Sequence, residues 1–255
     1  MELAGILADL ARNMIRNEFR NIDTRQTRVV LIEAGKRILS SFPEDLSDYA
    51  ARALERRGVE LRFGAPVTDC TEEGVQLGDD FLPCRTLIWA AGVAASPAAK
   101  WLGVKGDRAG RVPVQSDLTV AGRPEIFVIG DTAAVLQENG DPVPGIAPAA
   151  KQQGSHVARL IRARLSGQAT TEPFRYRHQG DLATIGKRAG VVKIGMLRLK
   201  GALAWWIWGI AHIFFLIGTR SRAAVAWNWL WTYLRGQNSS RLIAHPKPGD
   251  EPAID

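Results

Sequence analysis

Two acidic residues stand where apolar stretches end, and this position indicates ligand binding. Glu33 closes the stretch VVLIE, and Asp131 follows Gly130 directly after the stretch EIFVI. Doubly wound α/β folds bind polar ligands just beyond the ends of their strands, where a carboxylate can accept hydrogen bonds from the hydroxyls of a ribose or another polyol. Both residues are therefore candidate ligand-binding groups; the alternatives are an ordinary solvated glutamate at a strand end for Glu33 and a common Gly-Asp turn for Asp131.

Small residues and a helix start mark two further candidate positions. Ala91 and Gly92 follow the apolar stretch TLIWA and would let a cofactor approach the backbone closely, but such residues also pack helices. A helix predicted over 147–165 opens with Pro148, and its first amides would favour a negatively charged partner; an exposed polar helix start is the alternative. The polar residues on or just after that first turn are Lys151, Gln152 and Gln153.

Apolar spacing and turn residues predict alternating helices and strands along the first third of the chain. Apolar residues recur at helical spacing over 2–19, a continuous apolar strand covers 28–33, and a second helix covers 43–58. Short strands separated by Gly-containing turns follow over 60–82, and 85–91 is predicted to be another buried strand. This βαβ-type alternation is typical of α/β folds.

The middle of the chain continues this pattern and then changes character. Strands are predicted over 112–120 and 125–129, ahead of the helix over 147–165. The Gly/Ser/Thr-rich stretch 166–173 is a candidate linker, and the polar, Pro-rich tail 246–255 is predicted to be disordered. The residues between linker and tail are therefore expected to form a distinct C-terminal module.

Positive charge is concentrated in that C-terminal module. The formal net charge is +7, and the charged side chains over 186–241 are all basic. Nucleic acid and anionic lipid are both suitable partners for such a region, but the interleaved tryptophans and long aliphatic side chains favour lipid, so no nucleic-acid partner is expected. The interleaved tryptophans are Trp205, Trp206, Trp208, Trp227, Trp229 and Trp231.

Two apolar helices are predicted inside this basic region. The uncharged stretch 202–218 is at the lower limit of length for crossing a bilayer, and 222–235 is a shorter aromatic-rich helix bounded by arginines. Arginines at the ends of apolar stretches are typical of helices that lie at the membrane interface, and that arrangement is favoured over a spanning one. A soluble core rich in tryptophan is the alternative interpretation.

Cysteine usage disfavours metal and disulfide chemistry. Cys70 and Cys84 are the only cysteines and have no metal-ligand spacing, so no metal site is predicted and a reducing compartment fits. The N-terminal residues include Glu2 and Asp9 and show no cleavage-site signature, so a signal peptide is not predicted.

The motifs, taken in order, resemble a known family. MELAGILADLA, VVLIEAGKRIL, TLIWAAGV, PEIFVIGD and GIAPAAKQQG are followed by DLATIGKRAGVV, AWWIWGIAHIFFLIG and a W-x-W-x-W segment. In this order they resemble the type II NADH dehydrogenases of the two-dinucleotide-binding flavoprotein superfamily, from residue 1 to about residue 245. IFVIGD and AAG are shared across the superfamily, whereas DLATIGKRA and the segment after it distinguish this family.

The resemblance implies an α/β fold: the remainder of a two-dinucleotide-binding, Rossmann-like FAD/NAD flavoprotein with a C-terminal amphipathic helical module that anchors it to a membrane. It implies a truncated NAD-binding domain over 1–96, the C-terminal half of an FAD-binding domain over 97–168, and a membrane-associating module over 169–245. The family's glycine-rich GxGxxG and GxGxTG loops, which hold the ADP parts of FAD and NADH, do not occur in this sequence. We therefore expect an N-terminally truncated chain, with Met1 internal to a longer frame or the gene split.

By the same resemblance, Glu2, Lys151 and Gln152 are the candidate catalytic residues. Glu2 matches an acid beside the flavin and nicotinamide, and Lys151 and Gln152 lie on a helix that packs by the flavin ring and lines the quinone site. Glu33 matches the acid that binds the NAD ribose, and Asp131 the residue that binds the flavin ribityl chain. The family often has Gln where this sequence has Pro148. The residues implied to bind cofactor are Glu33, Ala91, Gly92, Gly130, Asp131, Ala149 and Gln152.

The resemblance implies an enzyme that passes electrons from NADH through FAD to membrane quinone without pumping protons. FAD and NAD are the implied cofactors, and the implied partners are quinone and an anionic lipid surface, with a homodimer left open. The expected location is peripheral, on the cytoplasmic face of the inner (plasma) membrane. The alternative is a membrane-binding remnant that holds no cofactor and needs an upstream polypeptide for activity.

Overall fold

The computed structural model describes residues 1–15, 21, 23–168 and 171–235. It contains two compact units, one formed by Met1–Leu87 with Gly180–Asp255 and the other by Ile88–Gln179. The C-terminal segment thus groups with the N-terminal one, whereas the sequence placed boundaries after residues 96 and 168. The predicted disordered tail 246–255 lies outside the described residues.

The first helix is shorter than predicted. Helix α1 (Glu2–Asp9) passes into a wider π-helical turn (Leu10–Met14), so a single α-helix over 2–19 is wrong in its extent; residues 16–20 lie outside the described part of the chain. In the wider turn, the Arg12 guanidinium donates a hydrogen bond to the carbonyl oxygen of Gly58 at 3.2 Å. This contact ties the turn to the loop at residues 56–58.

A parallel βαβ unit follows, as predicted. Strand β1 (Val29–Glu33) pairs in parallel with β2 (Val59–Phe63), and helix α2 (Glu44–Glu55) connects them. The helix buries one apolar face because its apolar residues recur at helical spacing. The buried apolar residues of that face are Leu46, Ala50, Ala53 and Leu54.

A three-stranded antiparallel meander completes the N-terminal part of the first unit. Its strands are β3 (Asp69–Cys70), β4 (Gly74–Leu77) and β5 (Asp80–Pro83), in the order β3-β4-β5. The short strands predicted over 60–82 are therefore confirmed. Their apolar side chains form a small separate core of Val75, Leu77 and Leu82.

The buried strand predicted over 85–91 is wrong. Leu87, Ile88 and Trp89 are 46%, 48% and 63% exposed, and the segment forms no strand. An apolar strand becomes buried when neighbouring strands pair with its backbone and other elements cover its faces. The parallel sheet holds β1 and β2 alone, and no strand in the described part of the chain pairs with this segment.

The second unit combines short strands with two helices. Helix α3 (Ala98–Trp101) precedes four strands, and the long helix α4 (Ala147–Leu165) has the bounds that the sequence predicted. The core of this unit includes Val112, Leu118, Val157 and other apolar side chains. The four strands are β6 (Val112–Pro113), β7 (Thr119–Val120), β8 (Arg123–Phe127) and β9 (Ala133–Ala134).

Two strand predictions in this unit are corrected. The single strand over 112–120 is wrong, because a turn at Asp117 separates β6 from β7. The buried Asp117 carboxylate accepts hydrogen bonds from the Thr119 amide at 3.1 Å and from its hydroxyl at 2.6 Å, and this stabilises the turn. The strand predicted over 125–129 lies two residues earlier, as β8, where it pairs with β7.

The C-terminal part of the first unit is a sheet followed by two helices. The antiparallel strands β10 (Asp181–Gly186), β11 (Ala189–Ile194) and β12 (Leu197–Gly201) were not predicted. Helices α5 (Ala202–Phe215) and α6 (Thr219–Arg235) confirm the two predicted helices with shifted bounds. The break between them begins at Leu216, where the backbone is extended, and ends at Gly218, which has a φ of +83° and stands immediately before α6.

Two glycines allow the elements around β10 and β11 to approach closely. A Cβ on Gly190 would lie 2.9 Å from the backbone nitrogen of Trp205, so α5 lies directly on β11. A Cβ on Gly5 would collide with the carbonyl group of Ile185, so α1 lies equally close to β10. The C-terminal sheet is therefore packed between α5 and the N-terminal helix of the same unit.

Across the described ranges, every helix falls short of the length and apolar character that crossing a bilayer requires.

Candidate functional site

Glu33 lies at the C-terminal end of β1, the edge where parallel α/β sheets bind their ligands. Its Oε1 accepts a hydrogen bond from the Gly35 amide at 2.8 Å. A Cβ on Gly35 would lie 3.1 Å from the same oxygen, so glycine leaves room for this contact. The half-buried carboxylate is thus oriented by its own backbone at the strand end.

Glu2, the predicted catalytic acid, is held by the C-terminal sheet. Its Oε1 accepts a hydrogen bond from the Thr184 amide in β10 at 2.8 Å. The two residues are 182 positions apart in sequence, so this contact was not visible in any local motif. The side chain therefore links the first turn of α1 to the strand DLATIG.

A partly buried ion pair strengthens the same link, and sequence analysis missed it. The Arg57 guanidinium lies 3.5 Å from the Asp9 carboxylate and donates hydrogen bonds to the carbonyl oxygens of Ala53 and Lys187, both at 2.9 Å. The two side chains are about one-fifth exposed, 18% for Arg57 and 24% for Asp9. The β10–β11 turn is thereby fixed to α1 and to the end of α2.

In the second unit, the buried side-chain amide of Gln153 fixes the backbone at Gly130, the residue before Asp131. Gln153 on α4 is 3% exposed, and its Oε1 accepts a hydrogen bond from the Gly130 amide at 2.6 Å. Gly130 has a φ of +69°, which favours glycine, and a Cβ there would lie 3.7 Å from the Cβ of Ala150. Gln153 is therefore the residue that positions this turn; sequence analysis named it as a polar residue near the helix start but gave it no role in the site.

Asp131, the next residue, is exposed at the start of a short 3-10 turn. Its carboxylate lies beside Gly145, where an added Cβ would come within 3.4 Å of Oδ1. Gly130, Asp131 and the start of α4 are thus brought together within one unit. An exposed carboxylate between two glycines can accept hydrogen bonds from ligand hydroxyls.

The other predicted residues of α4 differ in surroundings. The Gln152 amide is bonded at both ends to the Arg177 backbone, donating to its carbonyl oxygen at 2.9 Å and accepting from its N–H at 3.0 Å. Lys151 is exposed, whereas Ala149 is 1% exposed and packs in the core. The structure thus gives Gln152 a structural role beside its predicted catalytic one. Ala91 and Gly92 are both exposed, in the segment that forms no strand.

His156 is a buried polar group on α4 that sequence analysis did not select. Its Nδ1 lies 3.0 Å from the Arg159 guanidinium, and its Nε2 lies 3.0 Å from the carbonyl oxygen of Glu172. Because arginine only donates, Nδ1 accepts and the neutral ring carries its proton on Nε2. Burial lowers the pKa of His156, and the neighbouring Arg159 charge lowers it further.

Helix α5 leaves one apolar face outside. Ile210 and Phe214 are each 64% exposed and Ile217 is 93% exposed, while Ala204 on the opposite face is fully buried against the sheet. Residues spaced by three and four positions lie on one side of a helix, so the exposed residues form a continuous stripe. The exposed stripe on α5 consists of Leu203, Trp206, Ile210 and Phe214, and Ile217 in the loop after the helix is exposed as well.

The W-x-W-x-W motif on α6 places its tryptophans on two sides. The Trp229 ring stacks parallel to Trp208 of α5, with centroids 6.0 Å apart, and so holds the two helices together. Trp227 and Trp231 stack on each other at 6.2 Å, and Trp227 is 65% exposed. Spacing by two positions in a helix turns neighbouring rings to different sides.

Basic side chains lie close to these aromatic groups. Arg188 donates a hydrogen bond to the Tyr233 hydroxyl at 2.8 Å, and its guanidinium lies over that ring at 5.1 Å. Arg222 lies over the Phe214 ring at 5.4 Å and donates to the carbonyl oxygen of Leu216 at 2.8 Å. The exposed apolar surface is therefore bordered by positive charge.

Two family models match the chain. The model of the pyridine nucleotide-disulphide oxidoreductases matches residues 1–154, more than half of the chain. The model of the NDH2 C-terminal domain matches residues 178–238, which include the β10–β12 sheet and both C-terminal helices.

Curated relatives carry the name of one enzyme class. The chain is 38% identical over 251 residues to the type II NADH:quinone oxidoreductase Ndh of Mycobacterium tuberculosis, covering 93% of this chain and 53% of the relative. It is 38% identical over 175 residues to the type II NADH:quinone oxidoreductase of Staphylococcus haemolyticus, covering 67% of this chain and 43% of that protein. The chain spans about half the length of the curated relatives it matches.

A solved structure shares the fold. NDH2 from Plasmodium falciparum, determined in complex with NADH, matches with a TM-score of 0.82 at 17% identity, over 92% of this chain and 64% of that one. The predicted Rossmann-like α/β class and the resemblance to type II NADH dehydrogenases are therefore confirmed. The chain belongs to the pyridine nucleotide-disulphide oxidoreductase family and carries an NDH2-type C-terminal domain.

Proposed function

We propose that this chain forms part of an FAD-dependent oxidoreductase that passes electrons from NADH to membrane quinone. One observation carries the proposal: a βαβ unit with an acid at its strand end and an NDH2-type sheet with exposed apolar helices belong to one compact unit. Arg57, between α2 and β2, joins these two parts directly by donating a hydrogen bond to the carbonyl oxygen of Lys187 at 2.9 Å. Residues suited to NADH binding are thereby linked to residues suited to lipid contact.

The polar groups of the candidate site fit the two cofactors. Glu33 would accept hydrogen bonds from the adenosine ribose of NAD, and Asp131 would accept them from the ribityl chain of FAD. The α4 amides would face a negatively charged ring, and Gln153 keeps the Gly130 backbone in place beside them. FAD, when bound, supplies the capacity to take a hydride from NADH and to release two electrons to quinone.

Glu2, Lys151 and Gln152 remain the proposed catalytic residues of this reaction. Glu2 is oriented by the Thr184 amide, and Lys151 and Gln152 lie one after the other on α4. Ala91, Gly92 and Ala149 are proposed to let the cofactors approach, because each has a small side chain or none. No step of proton pumping is part of this proposal.

The C-terminal helices support attachment to a membrane surface. The stripe on α5 and the exposed Trp227 offer apolar area, and the charged side chains of the module are basic. This combination favours a monotopic position at an anionic lipid surface, on the cytoplasmic face of the inner (plasma) membrane. Membrane quinone would then reach the enzyme from the same surface.

A second candidate is a membrane-binding remnant that needs another polypeptide for activity. The exposed apolar segment with Leu87, Ile88 and Trp89 favours it, because a further strand or helix could cover these side chains. The sequence also contains no GxGxxG loop to hold a cofactor pyrophosphate. In this reading the 255-residue chain binds lipid but retains no flavin by itself.

Flavin absorbance separates the two candidates. We expect the purified chain to retain little FAD, and a fusion that places the N-terminal half of the Mycobacterium tuberculosis relative ahead of it to be yellow and to oxidise NADH with a soluble quinone. The fusion carrying Asp131→Ala should lose flavin on gel filtration, whereas Asp141→Ala, in an exposed turn of the same unit, should not. A folded fusion that stays colourless would favour the remnant.

Cofactor choice tests Glu33 within that fusion. Glu33→Ala should narrow the preference for NADH over NADPH by about tenfold, because the carboxylate repels a 2′-phosphate. Glu60→Ala, on the neighbouring strand, is the control, since that carboxylate is ion-paired with Arg28 at 2.8 Å. Unchanged selectivity in steady-state kinetics would remove Glu33 from the NAD site.

A further inference from the structure

The turn between β11 and β12 has an apolar tip. Ile194 pairs with Leu197 across the two strands, and Gly195 and Met196 form the two-residue turn. Met196 is 98% exposed, Leu197 53% and Ile194 43%. Three apolar side chains thus project together from the end of a hairpin, where polar turn residues are the rule.

A second hairpin in the same unit shows that turn geometry does not require this. The β4–β5 turn has Gly78 and Asp79 between the paired residues Leu77 and Asp80. The first turn residue is a glycine in the left-handed region in both hairpins, with φ of +61° at Gly78 and +56° at Gly195. Asp79 occupies the place that Met196 occupies in the other turn. The turn conformation accepts a polar residue at this position, so it does not explain why the residue at position 196 is apolar.

Basic residues stand directly behind the apolar tip. Lys193 and Arg198 face each other in the next register position, and Arg198 also forms an exposed ion pair with Asp45 at 3.1 Å. Residues 182–235 contain eight basic side chains and no acidic one. Like charges opposed across two strands repel each other, although Asp45 is paired with Arg198 and Asp181 of β10 stands opposite Lys193. Because the Arg198 side chain is 55% exposed, it can also contact an anionic surface.

We propose that the β11–β12 tip, Ile194–Leu197, inserts into the interfacial region of an anionic lipid bilayer. The proposal rests on the membrane attachment proposed above and adds a second contact to the helical one. Apolar side chains ahead of a basic pair match a surface whose headgroups are anionic and whose interior is apolar. A lipid surface is preferred to a protein partner because the positive charge extends over the whole module. With two contacts, the module would be held in one orientation on the membrane.

A fluorescent label at the tip tests insertion directly. Met196→Cys is introduced into a chain carrying Cys70→Ser and Cys84→Ser and is labelled with bimane. Vesicles of phosphatidylglycerol and phosphatidylethanolamine in equal parts should shift its emission to shorter wavelength, and spin-labelled lipid should quench it. The matched control carries the label at Asp79→Cys, in the polar hairpin, and should show neither effect.

The outcomes separate the tip from the helices. If the chain floats with the vesicles but the label at position 196 behaves like that at position 79, the tip proposal fails and helical attachment stands. If the chain does not float, both proposals fail. A blue shift that appears without lipid and grows with protein concentration would place a second copy on the tip and overturn lipid insertion.

Affinity gives an independent measurement. Met196→Glu should weaken binding to the same vesicles about tenfold, because it replaces an inserted apolar group by a charge that anionic lipid repels, and Met196→Leu should keep the affinity. Asp79→Ser is the matched control and should bind like the parent chain. Met196 is 98% exposed, so neither of its substitutions should change the melting temperature. Equal affinities for Met196→Glu and Met196→Leu would overturn the proposal.

Discussion

Helix α4 in the second unit is marked by buried polar side chains, whereas α5 and α6 in the first unit carry exposed apolar side chains. On α4, Gln153 and His156 are 3% and 5% exposed, and each is hydrogen-bonded to backbone. On α5, Ile210 and Phe214 are each 64% exposed. Buried polar groups fix backbone geometry for a small ligand, whereas exposed apolar groups leave a face ready for an extended partner. Substitutions on α4 should therefore change stability, and those on the outer face of α5 should change binding alone.

The largest effect is expected on the outer face of α5. Ile210→Glu combined with Phe214→Glu should weaken binding to anionic vesicles at least about a hundredfold, since burying each apolar side chain is worth about 1.5–3 kcal/mol. Stability should change little because both side chains are mostly exposed. Vesicle flotation at low salt measures the binding, and high salt should weaken the parent chain only in part, because screening leaves apolar contacts intact.

A matched pair on α4 gives the control for this experiment. Ile161 and Leu165 have the same spacing and are 42% and 85% exposed. Ile161→Glu combined with Leu165→Glu should leave vesicle binding unchanged if exposure alone does not create a lipid surface. Equal losses of vesicle binding in the two double variants would contradict the difference in lipid binding between the two helices.

The next effect concerns the buried amide of α4. Gln153→Leu should lower the free energy of unfolding by about 1–3 kcal/mol, because it leaves the Gly130 amide without its partner in a part-buried site. Gln152→Leu removes two hydrogen bonds to Arg177, but water can reach these groups, so its cost should stay below about 1 kcal/mol. Urea titrations of both variants, followed by circular dichroism, compare them. A cost for Gln152→Leu equal to that for Gln153→Leu would contradict the structural role given to Gln153.

The sequence predicts elements well where the pattern is local. Helix α4 has the predicted bounds because Pro148 marks its first turn and apolar residues recur along it. The strand over 85–91 was wrong because burial of an apolar stretch depends on strands elsewhere in the chain. The β10–β12 sheet was missed although Gly186 and Gly195 stand at the ends of its strands with β-branched residues between them, a signal that would have revealed two hairpins.

The candidate site residues also divide into those that local sequence predicts and those that depend on tertiary contacts. Glu33 lies at the end of β1, as predicted, because a strand and its end are encoded in a few consecutive residues. Asp131 does not directly follow a strand, because β8 already ends at Phe127 and Asp131 stands in the later 3-10 turn. The partners of Glu2 and Asp9 could not be predicted, because Thr184 and Arg57 reach them only through the tertiary fold. Gln153 could have been separated from Gln152 by helical spacing: it lies four residues after the buried Ala149, on the same side of α4.

The two sides of α6 should give a smaller contrast. Trp229→Ala removes the stack on Trp208 and should lower the free energy of unfolding by about 1 kcal/mol, the scale of an aromatic pair. Trp227→Ala, at a 65% exposed site, should cost less than about 0.5 kcal/mol but should weaken vesicle binding more than Trp229→Ala does. Thermal unfolding and flotation of the two variants measure the two effects. If Trp229→Ala instead impaired vesicle binding more, the inner and outer assignments of these rings would be reversed.

The smallest effect is a pH dependence confined to α4. His156 is held neutral, because burial and then the Arg159 charge lower its pKa below the ordinary value. In the unfolded chain the histidine binds a proton near its ordinary pKa of about 6.5, whereas in the folded chain it binds one only at lower pH. The contribution of this histidine to the free energy of unfolding is therefore complete above about pH 6.5 and falls as the pH drops below that value. Glu172 and Asp117 also face this histidine and oppose the shift, which keeps the effect small.

Amide hydrogen exchange along α4, corrected for intrinsic rates, should show less protection at about pH 5.5 than at about pH 7.5. In His156→Gln, whose amide can still donate to the Glu172 carbonyl, that difference should shrink. If the variant kept the full difference, another group on this unit would be the one that titrates.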